Sequence, residues 1–279
     1  MTIFPCAKIN LGLNIVGVRN DGYHNIETVF YPIPLYDALE MNQMDEKFPS
    51  TAPCDLKITG NPVEGNENDN LVLKAYRLLA ADFDLPRIHL HLYKHIPSQA
   101  GLGGGSSDAA YTIRLVNERF KLNLSVAEME NYAAKIGADC AFFITSAPAY
   151  ATGIGNELSP ACHPKSSLNG HYLAIVKPDI AVSTKEAYAE ITAKAPSKCC
   201  RDIVSQPVDT WRNELFNDFE LPVFKKYPEL SRIKEQLYEH GALYASMSGS
   251  GSAIYGIFKA CPIDIETLFP NSFAAILHL

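Results

Sequence analysis

The residues with the clearest chemical use form one run: Pro97, Ser98, Gln99, Ala100, Gly101, Leu102, Gly103, Gly104, Gly105, Ser106 and Ser107, closed by Asp108. Ahead of it, Ile88, Leu90 and Leu92 alternate with His89, His91 and Tyr93, the period of a half-buried strand that Pro97 then terminates. Behind it, Ala109, Ala110, Ile113, Leu115, Val116 and Phe120 follow the apolar face of a helix, with Ser107 or Asp108 expected as its cap. The run is therefore a loop at a helix N-terminus. Glycines without Cβ let backbone N–H groups approach an anion, and the unpaired amides of the first turn favour negative charge there. A polyphosphate would satisfy those donors. A flexible connector is the plainer alternative, but connectors rarely concentrate consecutive glycines, hydroxyls and a capping residue between regular elements. No Lys follows the glycines as in a Walker A loop, and Ser106 stands where a dinucleotide fingerprint needs its third glycine.

Asp139 is a carboxylate placed at a junction. The Ser125-Val-Ala-Glu128 capping box opens a helix expected to stop at Gly137, which leaves Asp139 at the junction before the apolar run Ala141-Phe-Phe-Ile144. Helix capping is the structural alternative for this residue. At the N-terminus, Ile9, Leu11, Leu13 and Ile15 alternate with Lys8, Asn10 and Asn14, so a strand puts these three polar residues on one face. Asp21-Gly22 signals a hairpin and Tyr23 to Ile33 a returning strand, which places Tyr23 and His24 beside the turn. A second glycine loop, Ser246-Met-Ser-Gly-Ser-Gly-Ser252, precedes the strand Ala253 to Phe258; it reads equally as an anion-facing loop or as a hairpin turn.

These pieces need a scaffold. Residues 42 to 70 read as loops around a short strand at Asp55 to Thr59, followed by a helix over 70–81. A strand is expected at Tyr172 to Lys177, a helix opened by a Ser183-Thr-Lys-Glu186 capping box, and a helix from Pro228 to His240 closed by Gly241. Gly, Pro, Asn and Ser between Thr152 and Gly170 place a domain change near residue 155, giving domains 1–155 and 156–279.

The 279 residues, 47% hydrophobic, suffice for two moderate domains. The apolar runs are shorter than the ~20 residues of a bilayer-spanning helix, and the first residues lack a signal-peptide pattern, so a cytoplasmic protein without a membrane partner is expected. Seven cysteines, Cys6, Cys54, Cys140, Cys162, Cys199, Cys200 and Cys261, show no C-x-x-C pairing and read as reduced thiols. A net charge of −7 argues against nucleic acid as a partner. His89, His91 and His95 could bind a metal as alternate strand residues, but a solvated strand face explains them better, and no metal site is expected.

Together, Ala7-Lys-Ile-Asn-Leu11, Asp21-Gly-Tyr-His24, Pro97 to Asp108, Gly137-Ala-Asp139 and Met247-Ser-Gly-Ser-Gly251 resemble the GHMP superfamily of small-molecule kinases, in order from Ala7 to Phe258. The resemblance implies an α+β fold, with a ribosomal-protein-S5-like N-terminal domain holding ATP and a ferredoxin-like C-terminal domain. It implies Asp139 as the catalytic carboxylate and Lys8 as its charged companion. The long glycine loop with Asp-Gly-Tyr-His resembles the branch acting on a cytidine-diphosphate-linked polyol, whose 2-hydroxyl would be phosphorylated. Tyr23 and Tyr188 would then flank the cytosine, His24 would bind its edge, and Asn10 would contact the polyol. Lys94 and Asn70 would border the adenine, and Mg2+ would accompany ATP near Ser106 or Ser107. Asp108 adds negative charge one residue beyond those hydroxyls, acceptable in a helix cap but not in a phosphate contact. A kinase for another small alcohol, or a silent nucleotide-binding module, are the alternatives.

Overall fold

A computed structural model describes residues 1–45, 47–63, 65–161, 168–262 and 264–279; Cys162 lies outside them. In chain order the strands and helices are β1 (Thr2–Ile3), β2 (Cys6–Val18), β3 (His24–Tyr36), β4 (Ala38–Gln43), β5 (Cys54–Gly60), α1 (Leu71–Ala80), β6 (Ile88–Lys94), α2 (Gly104–Phe120), α3 (Val126–Ala134), α4 (Phe142–Thr145), β7 (Ala149–Thr152) and β8 (Glu157–Pro160). They continue with β9 (Tyr172–Pro178), α5 (Thr184–Ala189), α6 (Cys200–Val204), α7 (Glu220–Lys226), α8 (Pro228–Glu239), β10 (Tyr244–Met247), β11 (Ile254–Phe258), α9 (Ile265–Leu268) and β12 (Ser272–His278). The chain is α+β, and no helix among the described residues is long and apolar enough to cross a membrane.

The chain packs as two compact units, each built from several stretches. One comprises Met1–Ala7, Leu35–Ser98 and Gly103–Ala147; the other comprises Lys8–Pro34, Gln99–Leu102 and Pro148–Leu279. Packing thus does not follow one cut at residue 155, because Lys8–Pro34 contributes most of β2 and β3 to a sheet completed by β7 and β8.

In the first unit the sheet runs β1-β4-β6-β5, with β6 antiparallel to β4 and parallel to β5. Its register sets Leu39 against Leu92, Met41 against Leu90 and Leu56 against Leu90, all buried beneath α1 and α2. The alternate residues point the other way: His89 Nδ1 lies 2.7 Å from Asp55 and His91 Nε2 2.8 Å from Thr59 Oγ1. The Ser125 capping box forms as expected, with Glu128 N donating to Ser125 Oγ and Ser125 N to Glu128 Oε2. The helix it opens, α3, ends at Ala134, earlier than Gly137, and turns fill the interval.

The second unit holds two sheets, β2-β3-β7-β8 and β10-β11-β9-β12. Leu13, Ile15, Ala174, Val176, Leu230, Ile233, Leu237, Met247 and Ile254 meet in one core, and α8 lies across β10 and β11. Ser183 does stand at the N-cap of α5, but its side chain makes no capping bond, and Glu186 pairs instead with Lys226. A capping box needs the Glu side chain to turn back on the cap; a cation on a neighbouring helix competes for it.

Candidate active site

In the second unit, β2 carries Lys8 and Asn10 on one face, as its alternation requires, yet that face is buried too: Lys8 is 3% and Asn10 2% exposed. Burying an ammonium demands compensation. Lys8 Nζ donates to Asn10 Oδ1 at 2.6 Å and stands 5.0 Å from the Phe30 ring centroid. Asn10 Nδ2 in turn donates to Thr28 Oγ1 on β3 at 3.0 Å. The Asn10 carboxamide is therefore engaged at both ends by the chain, which suits it to aim the Lys8 ammonium.

Of the long glycine loop, Gln99–Leu102 belongs to the second unit and the residues on either side to the first. This middle segment sits against β2, with Lys8 N donating to Leu102 O at 2.9 Å. The second glycine loop holds it from the other side. Ala253 N donates to Ala100 O at 3.1 Å, Ser248 Oγ donates to Gly101 O at 2.8 Å and accepts from Asn10 N at 3.3 Å. Of the two readings open for Ser246–Ser252, the hairpin turn is the one the structure shows, since β10 and β11 pair antiparallel across it, and its residues also bond the carbonyls of Ala100 and Gly101 in the first loop.

In the first unit, α2 starts at Gly104 with Gly103 in the left-handed region (φ 71°) as its N-cap, and no side chain caps it. Neither Ser107 nor Asp108 is the cap that the sequence pattern suggested. Both lie inside the helix, because the glycines supply the positive φ and let it begin several residues sooner. Ser107 N makes the first helical bond, to Gly103 O, so the amides of Gly104, Gly105 and Ser106 precede it and face out along the axis. Leu71 opens the neighbouring helix α1, and Asn70 caps it, its Oδ1 accepting from Val72 N at 2.9 Å.

Lys94 lies inside the first unit. It is 4% exposed, paired with Asp37 and, at 2.7 Å, with Asp108 on α2, while the other Asp37 oxygen accepts from His95 N and Ile96 N. Two carboxylates offset what burial of one ammonium costs, and the pair ties β6 to the first turns of α2. Burial drives the Asp108 carboxyl up to about 7, against the lowering effect of Lys94 and with Asp37 adding to the rise. A carboxyl raised in the folded state gives stability that is fully present below its unfolded value near 3.8 and lost as pH rises through about 7. Asp108→Asn removes that loss. The thermal midpoint of the variant relative to the parent is expected to climb between about pH 5 and about pH 7.5; a pH-independent difference would contradict the assignment.

Asp139 occupies the turn between α3 and α4, where Cys140 N donates to Gly137 O. Its neighbour Cys140 is buried, which pushes the thiol up to about 11 against a lowering effect of the Ser106 hydroxyl at the start of α2. The turn bearing Asp139 leads into α4, which packs on α2.

The aromatic residues separate. His24 stacks on Tyr188 at 4.6 Å between centroids with a 22° interplanar angle, and Tyr188 meets the edge of Phe219 at 4.8 Å. Tyr23 stays on the hairpin, 62% exposed, its N–H bonded to Asp21 Oδ1. Sequence reasoning missed Asp37, Thr28 and the tetrapeptide Asn217-Asp218-Phe219-Glu220. Each acts through a partner far along the chain, so no local pattern marks it.

Comparison with known proteins agrees with this geometry. The family described as GHMP kinases N terminal domain matches residues 70–147, and GHMP kinases C terminal matches residues 201–260. The chain is 50% identical over 276 residues to the 4-diphosphocytidyl-2-C-methyl-D-erythritol kinase of Bacteroides fragilis, covering 96% of this chain and 97% of that one. It is 53% identical over 262 residues to the enzyme of that name from Bacteroides thetaiotaomicron, covering 93% and 92%. A crystal structure of 4-(cytidine 5'-diphospho)-2C-methyl-D-erythritol kinase superposes with TM-score 0.82 at 26% identity, covering all of both chains.

Proposed function

Because this chain belongs to the GHMP kinases, we propose that it transfers the γ-phosphoryl group of ATP to the 2-hydroxyl of 4-diphosphocytidyl-2-C-methyl-D-erythritol, a step of non-mevalonate isoprenoid synthesis. The observation that carries the reading is the start of α2, where no side chain caps the helix and the amides of Gly104, Gly105 and Ser106 precede the first helical bond, with the Asp139 turn leading into α4, which packs on α2. A carboxylate beside a helix N-terminus lined with free amides suits phosphoryl transfer, where positioning and charge stabilisation do most of the work.

The amides of Gly104, Gly105 and Ser106 would receive the phosphates of ATP. A Cβ on Gly104 would stand 3.0 Å from Ile96 Cγ2 and 3.3 Å from Lys94 Nζ, so the backbone there is packed closely from beneath. Ser107 Oγ, buried and without a hydrogen-bond partner, fits a polar group brought by a ligand. Mg2+ would arrive with the triphosphate and neutralise its charge, with Ser106 and Ser107 as the hydroxyls at hand; among the described residues no group of His, Cys, Asp or Glu forms a metal cage. Asn70 would border the adenine, whereas Lys94 supports α2 from within.

The substrate oxygen attacks phosphorus, its proton passes toward Asp139, and ADP leaves with the bridging electron pair. Asp139 accepts or orients that proton, and Lys8, aimed by Asn10, offsets charge on the transferring group. Tyr188 and His24 would take the cytosine, with Tyr23 folding over from the hairpin. Base stacking on an aromatic ring contributes ~1 to 3 kcal/mol, so Tyr188→Ala is expected to raise KM for the cytidyl substrate at least ~10-fold while KM for ATP stays close to that of the parent.

The deciding experiment is a coupled ADP-release assay with ATP and magnesium, offering 4-diphosphocytidyl-2-C-methyl-D-erythritol, mevalonate and homoserine separately. Turnover of the cytidyl compound alone is expected. Turnover of another alcohol would remove the base-reading pocket, and ATP binding without any turnover would make the chain a silent module.

A further inference from the structure

We propose that the tetrapeptide Asn217-Asp218-Phe219-Glu220 is the positioning segment of the site, fixing the ATP loop through one set of bonds and the cytosine-facing tyrosine through another. The inference rests on the kinase reading above and assigns residues to which that reading gives no role.

Asn217 is 4% exposed, and its Nδ2 donates at 2.8 Å to both Met247 O and Gly249 O, the carbonyls on either side of Ser248. Ser248 is the residue whose hydroxyl ties Gly101 of the ATP loop to Asn10 of β2. Glu220 Oε1 accepts from Met247 N at 2.8 Å and from Ser246 Oγ at 3.0 Å, and Lys234 neutralises its other oxygen at 2.6 Å. The backbone entering Ser248 is therefore held from its N–H side by Glu220 and from its carbonyl side by Asn217. Asp218 acts on β2 itself: its Oδ2 accepts from Ile15 N at 2.6 Å, and its own N–H donates to Leu13 O at 2.8 Å. Lys8 and Asn10 lie on this same strand.

Phe219 serves the other half-site. Its ring meets Tyr188 nearly perpendicular, at 84°, while His24 covers Tyr188 at 22°. An edge-on aromatic neighbour favours one ring orientation over others, so Phe219 sets the plane that Tyr188 offers to a base. Phe219 N in turn donates to Asn217 Oδ1 at 3.0 Å, which couples the two arms at a single side chain. A chain that only needed to fold could anchor α7 by apolar packing. Here four consecutive residues reach three parts of the site: Asn217 and Glu220 the segment around Ser248, Asp218 β2, and Phe219 the Tyr188 ring.

The two arms can be cut separately. Asn217→Asp keeps the acceptor for Phe219 N but loses both donors, and Ser248→Ala cuts the same arm at its far end should the first variant fold poorly. Phe219→Leu keeps an apolar group but removes the aromatic edge. Calorimetric titration with a non-hydrolysable ATP analogue and, separately, with CDP is the measurement. The loop variants are expected to weaken the analogue by about tenfold or more, and Phe219→Leu to weaken CDP by about tenfold, each leaving the other ligand within about twofold. Equal weakening of both ligands in every variant, or no weakening, would overturn the positioning role. A parent chain that binds the ATP analogue but not CDP would instead sink the cytidyl-substrate reading, and the Phe219 arm with it.

Discussion

Asp139→Asn is expected to fold as the parent does and to lose at least ~100-fold in kcat, the scale on which a positioned proton acceptor acts. The residue is half-buried in a turn between two helices, so the amide fits where the carboxylate was. What changes is the charge beside the loop helix and the capacity to take a proton. Lys8→Met is expected to reach a similar loss by the opposite charge. Methionine preserves the length and apolar stem of Lys8 inside β2, but the ammonium that Asn10 and Phe30 hold in place is gone. Steady-state kinetics beside thermal unfolding decide both. A folded Asp139→Asn protein with near-parental kcat would end the case for its catalytic role, and a Lys8→Met protein that merely unfolds would mark Lys8 as structural.

Gly101→Ala should be the most damaging methyl group among the glycines whose surroundings are described. Gly101 has φ 73°, a region that costs an alanine about 1 kcal/mol or more. The added Cβ would stand 1.9 Å from Ser248 O and 2.8 Å from Ser248 C, both backbone atoms of a loop already held by Asn217 and Glu220. Neither loop can yield without breaking the bonds between them. We expect destabilisation of ~3 kcal/mol or more, or failure to fold, with weakened binding of an ATP analogue in any protein recovered. Gly105→Ala is the control. Its Cβ would meet only Leu71 Cδ1 at 3.9 Å, and its φ is not positive, so its thermal midpoint should match or exceed that of the parent. If the two variants unfold at the same temperature, close approach of the two loops is not what requires glycine at 101.

Both predictions concern places where the sequence was half legible. The Gly-Leu-Gly-Gly-Gly-Ser-Ser run announced a loop before a helix, since positive φ and uncapped amides are properties of the residues themselves. It could not announce that Gly101 is needed for contact with a loop nearly 150 positions later. The same division explains the misplaced helix cap. Ser107 and Asp108 have the chemistry of N-caps, but Gly103 starts the helix earlier, and Asp108 is spent on Lys94.

What the sequence by itself determined is whatever depends on neighbours within a few residues. The alternation of β2 and β6, the capping box at Ser125, the hairpin at Asp21-Gly22 and the ordered motifs of a small-molecule kinase are all of this kind. What only the tertiary structure decided is which polar groups share a buried space. Lys94 faces Asp37, 57 positions before it, and Asp108, 14 after it; Ser248 joins Asn10 to Gly101; Asn217 answers two carbonyls 30 and 32 positions away. Such partners are chosen by strand register and packing. A buried donor or charge must find an acceptor wherever the fold delivers one, and no local periodicity records which it will be.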